Sequence, residues 1–424
     1  MTAAQALAHN PSLSDSTLKA LRSAALERVG SLAVPNTHDE AWRFTSIAAL
    51  HRTPLRELQT PTRVAIEDIA RWRIPEAAQR LVFVDGVHAP HLDITTDQNA
   101  VTVSPLTQAL VTHSGAVLAH LGQLAPDPLQ RFTAQNTAHL FDAAVVIAPR
   151  NAVASGPVHV LFVATQPHVT SHPRTLVIAE QGSALTVIED YVALTDEPYF
   201  TNSVTELALA DNAQVHHIRL QRESQRAFHI ARCALTQARA SHYHSVSIAL
   251  GSEISRLDTT ALQSGEGTHC ALDGLAHIAA QQVADTHTCI THAQAHGTSR
   301  QLHKCIVADS AQAVFNGRVQ VRPGAQKIDS AQSSRTLLLG PKARVNTLPQ
   351  LEINADDVRC THGATVGQLD NDELFYLQSR GLSPEAARGL LTYAFAAEVI
   401  ARIPVPSVRQ QLETTVLQHR SAQP

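Results

Sequence analysis

In the stretch "DDVRCTHGATVG", Asp356 to Gly367, Cys360 stands two positions before His362. Alternate residues of a strand share a face, so this thiol and imidazole would project together, about 7 Å apart. Such a pair serves iron or zinc, but two ligands are half a tetrahedral site, and the rest must come from elsewhere. The plainer reading is a half-buried thiol beside a polar histidine in the last strand of a core.

Histidine is abundant, at 24 of 424 residues, and His216/His217, His242/His244 and the run His287, His292, His296 invite a metal-enzyme reading. Against it, neither HExxH nor an HxH with a nearby acidic partner set appears. Histidines spread over a polar sheet surface are the simpler expectation. The five cysteines, Cys233, Cys270, Cys289, Cys305 and Cys360, form no CxxC pair. They read as free thiols or occasional ligands, not a disulfide frame, a zinc knuckle or a self-contained four-cysteine cluster site. The first four are expected to be structural.

The 33 basic and 37 acidic residues give a formal charge of -4 without a polybasic run, which disfavours nucleic acid as a partner. No apolar run approaches the ~20 residues of a membrane helix, and the first 30 residues lack a signal-peptide core. The expected location is cytoplasmic. GxxxxGK[ST], GxGxxG and GxSxG are absent and only four lysines occur, so no nucleotide site of its own is expected. Any use of ATP must come from another chain.

Three regions must position Cys360 and His362. Residues 1–150 read as helical with a small β insertion: Leu18, Leu21, Ala25 and Val29 lie at helical spacing after a Ser/Asp capping cluster. Trp42, Phe44, Ile47 and Leu50 form a mixed apolar face, and "RLVFVDGVHAPHLDI" is a hairpin turning at Asp85-Gly86. Residues 151–366 carry short alternating runs starting at Gln181, Asp211, Ala238 and Gly265, a spacing of about 30 residues that fits one coil of a β-solenoid. A β-sandwich would give similar strands. Residues 367–424 are helical. Ser383 is the N-cap and Pro384 the first helical residue, and Leu390, Leu391, Ala394, Phe395, Val399 and Ile403 make one apolar face. A second stripe follows on Val408, Leu412, Val416 and Leu417, so the two helices read as a separate docking module or cap.

The segment "VFNGRVQVRPGAQKIDSAQSSRTLLLG" and its continuation through "CTHGATVG" to "LFYLQSRGLS", with the early "EAWRFT", closely resembles the SufD family of the SUF iron-sulfur cluster assembly machinery. The likeness spans nearly the whole chain. The sister SufB family typically carries an extra N-terminal cysteine motif and a cysteine in the stretch that here reads "KIDSAQSSRTLLLG"; neither is present.

The resemblance implies a mainly β protein, a right-handed parallel β-helix core between an N-terminal helical (α+β) region and a C-terminal α-helical domain. It implies a scaffold subunit rather than an enzyme, working in a complex of one SufB, one SufD and two copies of the ATPase SufC. The last strands would pair with SufB and support iron acquisition for the nascent cluster, with His362 and Cys360 at that interface facing a SufB cysteine. The C-terminal domain would dock SufC, for which Phe375, Tyr376 and Arg380 are candidates by type. A transient iron-sulfur cluster or iron is the expected cargo, and reduced flavin on the complex is compatible with the resemblance. An exposed edge strand also allows a homodimer of the isolated chain. The rivals are a secreted-type parallel β-helix enzyme acting on polysaccharides and a stand-alone histidine-rich metal-binding protein.

Overall fold

A computed structural model describes residues 13–95, 100–124 and 130–418. Two sheets of 11 and 10 strands face one another, and from Arg174–Ala179 onward consecutive strands of the chain fall alternately in one and the other. From there each strand pairs in parallel with the strand two steps on, as Gln214 with His242, His242 with His269 and Thr298 with Asp329. The result is a parallel β-solenoid of about 8 turns, which decides against the sandwich.

The expected period has a physical origin at one corner of the coil. Gly182, Asn212, Ala240, Gly267, His296 and Lys327 all adopt positive φ, between 53° and 71°. The backbone N–H of each donates to a carbonyl one coil on, at Asp211, Arg239, Glu266, Ala295, Gln326 and Asp357, over 2.7 to 3.1 Å. A left-handed residue costs a side-chain-bearing residue about 1–2 kcal/mol, and this inter-coil bond is what holds it there.

The N-terminal helix Leu13–Ser31 packs on Arg131–Ala138, with Leu18 and Leu21 against a buried cluster and Ala25 fully buried. The Ser/Asp cluster expected to cap it lies outside the described side chains. Asp85 and Gly86, at φ 50° and 88°, join the antiparallel strands Gln79–Val84 and Val87–His88, as the hairpin reading requires. The sheets begin before residue 150, with Gln79–Val84 in one and Ala144–Ala148 in the other. Trp42, Phe44, Ile47 and Leu50 lie on a short 3-10 turn, a loop and the helix Ala48–Arg52. Around them "EAWRFT" grips the outside of the first sheet. The Arg256 guanidinium lies 3.9 Å over the Trp42 ring, Arg256 and Thr45 both reach the Asp285 carboxylate at 2.6 Å, and Gln312 donates to the Phe44 carbonyl.

The C-terminal helices Pro384–Ile400 and Pro406–Gln418 lie along the outer face of the second sheet. Ile218, Leu220, Val246, Ile248, Leu275 and Leu302 point outward there and are covered by Ala396, Val399, Ile400, Ile403, Val408, Leu412 and Val416. Full burial of such a side chain contributes about 1.5–3 kcal/mol. Of the two alternatives, a separate module or a cap, the packing is that of a cap. Two expectations are corrected by this docking. The buried stripe is rotated toward Ala387, Thr392 and Ala396, leaving Leu390 42 % exposed and Ala394 in solvent, and Leu417 also faces outward.

Candidate functional site: the open end of the solenoid

The last strands of the two sheets, Arg344–Ile353 and Val358–Gly367, each pair on one side only among the described residues. A free edge of this length presents backbone donors and acceptors ready for another chain.

Strand alternation decides which way its side chains point. In the preceding strand of the same sheet Ile328, Ser330, Gln332, Ser334 and Thr336 are buried in the lumen, and Val358, Cys360, His362, Ala364 and Val366 sit in register upon them. Cys360 and His362 thus share the lumen face of the terminal coil. Cys360 is half-buried and His362 exposed because no further coil covers them. Burial and the nearby Asp329 carboxylate both push the Cys360 thiol above its ordinary value, so at neutral pH it is protonated until a cation displaces the proton.

Beneath the two residues run two chains of buried polar side chains. His292 Nε2 lies 3.0 Å from Ser299 Oγ, which lies 2.7 Å from Ser330 Oγ, directly under Cys360. The Thr288 hydroxyl donates to Gln301 at 2.8 Å, and Gln301 meets Gln332, under His362, at 3.4 Å. Glycine at 317 is needed for this second chain, because a Cβ there would come within 2.1 Å of Gln332 Nε2. Deeper in the lumen a cavity of about 40 Å³, large enough for water, is lined in part by Arg219, Ser245, Ser247 and His303.

Beside His362 a cleft of about 470 Å³ reaches the C-terminal helix, bordered by Arg300, Arg335, Glu398 and Arg402. Lys304 bonds Glu398 at 2.6 Å and the Phe395 carbonyl at 2.8 Å, fixing that helix near the open end. The next helix toward the edge, Asn371–Ser379, is capped by the Asp370 carboxylate. It leaves Phe375 73 % and Tyr376 56 % exposed, with the Arg380 guanidinium 5.2 Å from the Tyr376 ring.

The other thiols are not brought to this edge. Cys233, Cys270 and Cys305 are buried; burial pushes Cys305 up to about 12 and Cys270 higher still. Cys289 is partly buried and also raised. The surface reading holds for His216, His242, His244, His287 and His296 and fails at His217 and His292, which are buried, as are His159, His229, His277 and His303. His216, His242, His244 and His269 do lie on the outer sheet surface, yet His244 Nε2 meets the Asp273 carboxylate at 2.8 Å. That acidic partner is adjacent across coils, not along the chain, which is why spacing concealed it. Ser330 and Gln332 were also missed, although small polar residues at every second position of "IDSAQSS" are the trace of a polar lumen face.

Residues 162–395 match the family described as SUF system FeS cluster assembly, SufBD core domain, and residues 4–160 match the SufBD protein N-terminal region. The chain belongs to the SufBD family. An iron-sulfur cluster assembly SufBD family protein of Synechocystis is 40% identical over 95% of this chain and 91% of its own length. The iron-sulfur cluster assembly protein SufD of Escherichia coli is 33% identical over 91% of this chain and 89% of its own, and that of Bacillus subtilis 27% over 94% and 93%. This SufBD chain therefore takes part in SUF iron-sulfur cluster assembly. No helix among its described residues is long and apolar enough to cross a membrane.

Proposed function

We propose that this chain is the non-ATPase SufD subunit of a cytoplasmic scaffold, and that its open solenoid end pairs with a SufB partner to build the nascent cluster. The observation that carries this reading is the placement of Cys360 and His362 side by side on the lumen face of an unpaired terminal coil. Strand pairing across that edge would cover them with the partner's own lumen residues, completing a ligand set that this chain only half supplies. Iron and sulfide are cargo here, held transiently. The exposed Phe375, Tyr376 and Arg380 support docking of the SufC ATPase beside the same edge, so that nucleotide-driven movement acts close to the cluster.

The test is co-expression with SufB and SufC, comparing the wild type with His362→Ala and Cys360→Ala by visible absorption and iron content. Cluster loss with the complex intact is the expected result. An unchanged cluster in both variants would reduce this strand to an assembly surface.

A further inference from the structure

A second donor set lies far from the open end, where the N-terminal region meets the first coils. Glu57 belongs to the short strand Arg56–Glu57, which pairs with Val169–Ser171, and His172 directly follows that partner. His139 is the residue that ends the helix Arg131–Ala138. Three distant segments of the chain thus converge. Glu57 Oε2 lies 3.7 Å from His139 Nδ1 and 3.7 Å from His172 Nε2, and the three donor atoms all fall within 4.8 Å of one another. No other such grouping occurs among the described residues.

The state of His172 points to a missing ligand. Its side chain is 6 % exposed, and its Nε2 is buried without a hydrogen-bond partner, aimed at the Glu57 carboxylate just beyond bonding distance. Its other nitrogen lies 3.4 Å from the Asn202 side-chain nitrogen, and that amide is anchored on the Phe132 carbonyl, so the ring is held in place. The His139 ring stacks beside it at 4.6 Å and 10°, which brings the second imidazole to the same spot. Glu57 and His139 are 55 % and 30 % exposed and leave a path to solvent.

We propose that Glu57, His139 and His172 bind one divalent transition-metal ion, zinc or ferrous iron. Two imidazole nitrogens and one carboxylate oxygen suit such ions, whereas calcium and magnesium require mostly oxygen donors. Metal bonds of about 2.0–2.2 Å at tetrahedral angles place donors about 3.3–3.6 Å apart. Closing the two 3.7 Å separations takes a few tenths of an ångström. The two histidines must also draw together, which requires the partly exposed His139 ring to rotate out of its stack. A remaining coordination position faces water. The ion ties the Glu57 strand and the helix end to the solenoid, independently of any cluster chemistry at His362.

The experiment uses the full chain stripped of metal, titrated with Co²⁺ and followed by visible absorption, with Zn²⁺ as competitor. Glu57→Gln, His139→Asn and their double variant are compared with the wild type, each checked for folding by circular dichroism. The wild type should bind one equivalent more than the double variant, with affinity at least tenfold weaker in each single variant. Zn²⁺ should raise the melting temperature of the wild type and not of the double variant. His362→Ala should retain the equivalent, which separates this site from the open end. Equal stoichiometry and affinity in wild type and a folded double variant would overturn the proposal.

Discussion

Gln332 occupies the lumen position in register beneath His362, and its amide donates a 3.1 Å hydrogen bond to the Gly317 carbonyl in the opposing sheet. The exposed histidine therefore stands on a side chain that is fixed from both sheets, not on a loose surface.

Replacing Gly317 with alanine sets a Cβ 2.1 Å from Gln332 Nε2 and 2.7 Å from the Phe315 ring. Overpacking of this kind costs about 1–3 kcal/mol, and urea unfolding should register it. Gly363→Ala, on the edge strand with nothing within 4 Å, is the control and should change stability by less than about 0.5 kcal/mol.

Edge pairing is tested at Val366, an apolar lumen-face residue half exposed at the rim. Val366→Lys should leave the melting temperature of the isolated chain nearly unchanged and weaken binding to a SufB partner at least tenfold in a pull-down titration. Unaltered affinity would place the partner elsewhere.

The C-terminal helices give a contrast between burial and exposure. Ile400→Ala removes a side chain that is buried on the second sheet and should cost about 2–5 kcal/mol in denaturant unfolding. Phe375→Ala should cost less than about 0.5 kcal/mol and yet reduce capture of SufC.

One buried pair predicts an alkaline limb of stability. Burial alone would lower His217, but Cys233 and the Glu189 carboxylate, 3.0 Å from its Nε2, outweigh it and lift the imidazole to about 9. Burial would raise Glu189, and His217 reverses that, holding it below its ordinary value. A raised histidine contributes stability in full below its unfolded value near 6.5 and loses it as pH rises through about 9. Unfolding free energy should therefore fall between these two pH values by something on the order of 3 kcal/mol. His217→Gln should flatten that limb in pH-dependent denaturation.

Much of the frame was legible. The Ser383 cap does accept from the Ala386 N–H, and the turn clusters do recur at one corner of each coil. Alternation alone placed Cys360 and His362 on one face. What it could not supply was phase. In "QVHHIRLQR" the apolar Ile218 and Leu220 point outward under the C-terminal helices, while His217, Arg219 and Gln221 point into the lumen. A reader who assigns apolar residues to the inside inverts this strand. The polar chains under the edge were hidden for a related reason: their links join opposing sheets 7 or 13 residues apart in sequence, or neighbouring coils 31 residues apart, and the members meet only once the coil register is known.

The corner ladder carries a consequence for how the molecule ends. Each coil is held chiefly by its two neighbours, so stability propagates along the solenoid as nearest-neighbour coupling. The terminal coil has one neighbour, and its strands should exchange amide hydrogens fastest of the lumen-forming elements. Anything that adds a strand to that edge supplies the missing coupling and shifts fraying inward to outward equilibria toward order. Association at the open end is then thermodynamically a further step of folding, and ligands at Cys360 and His362 would feel it as rigidity.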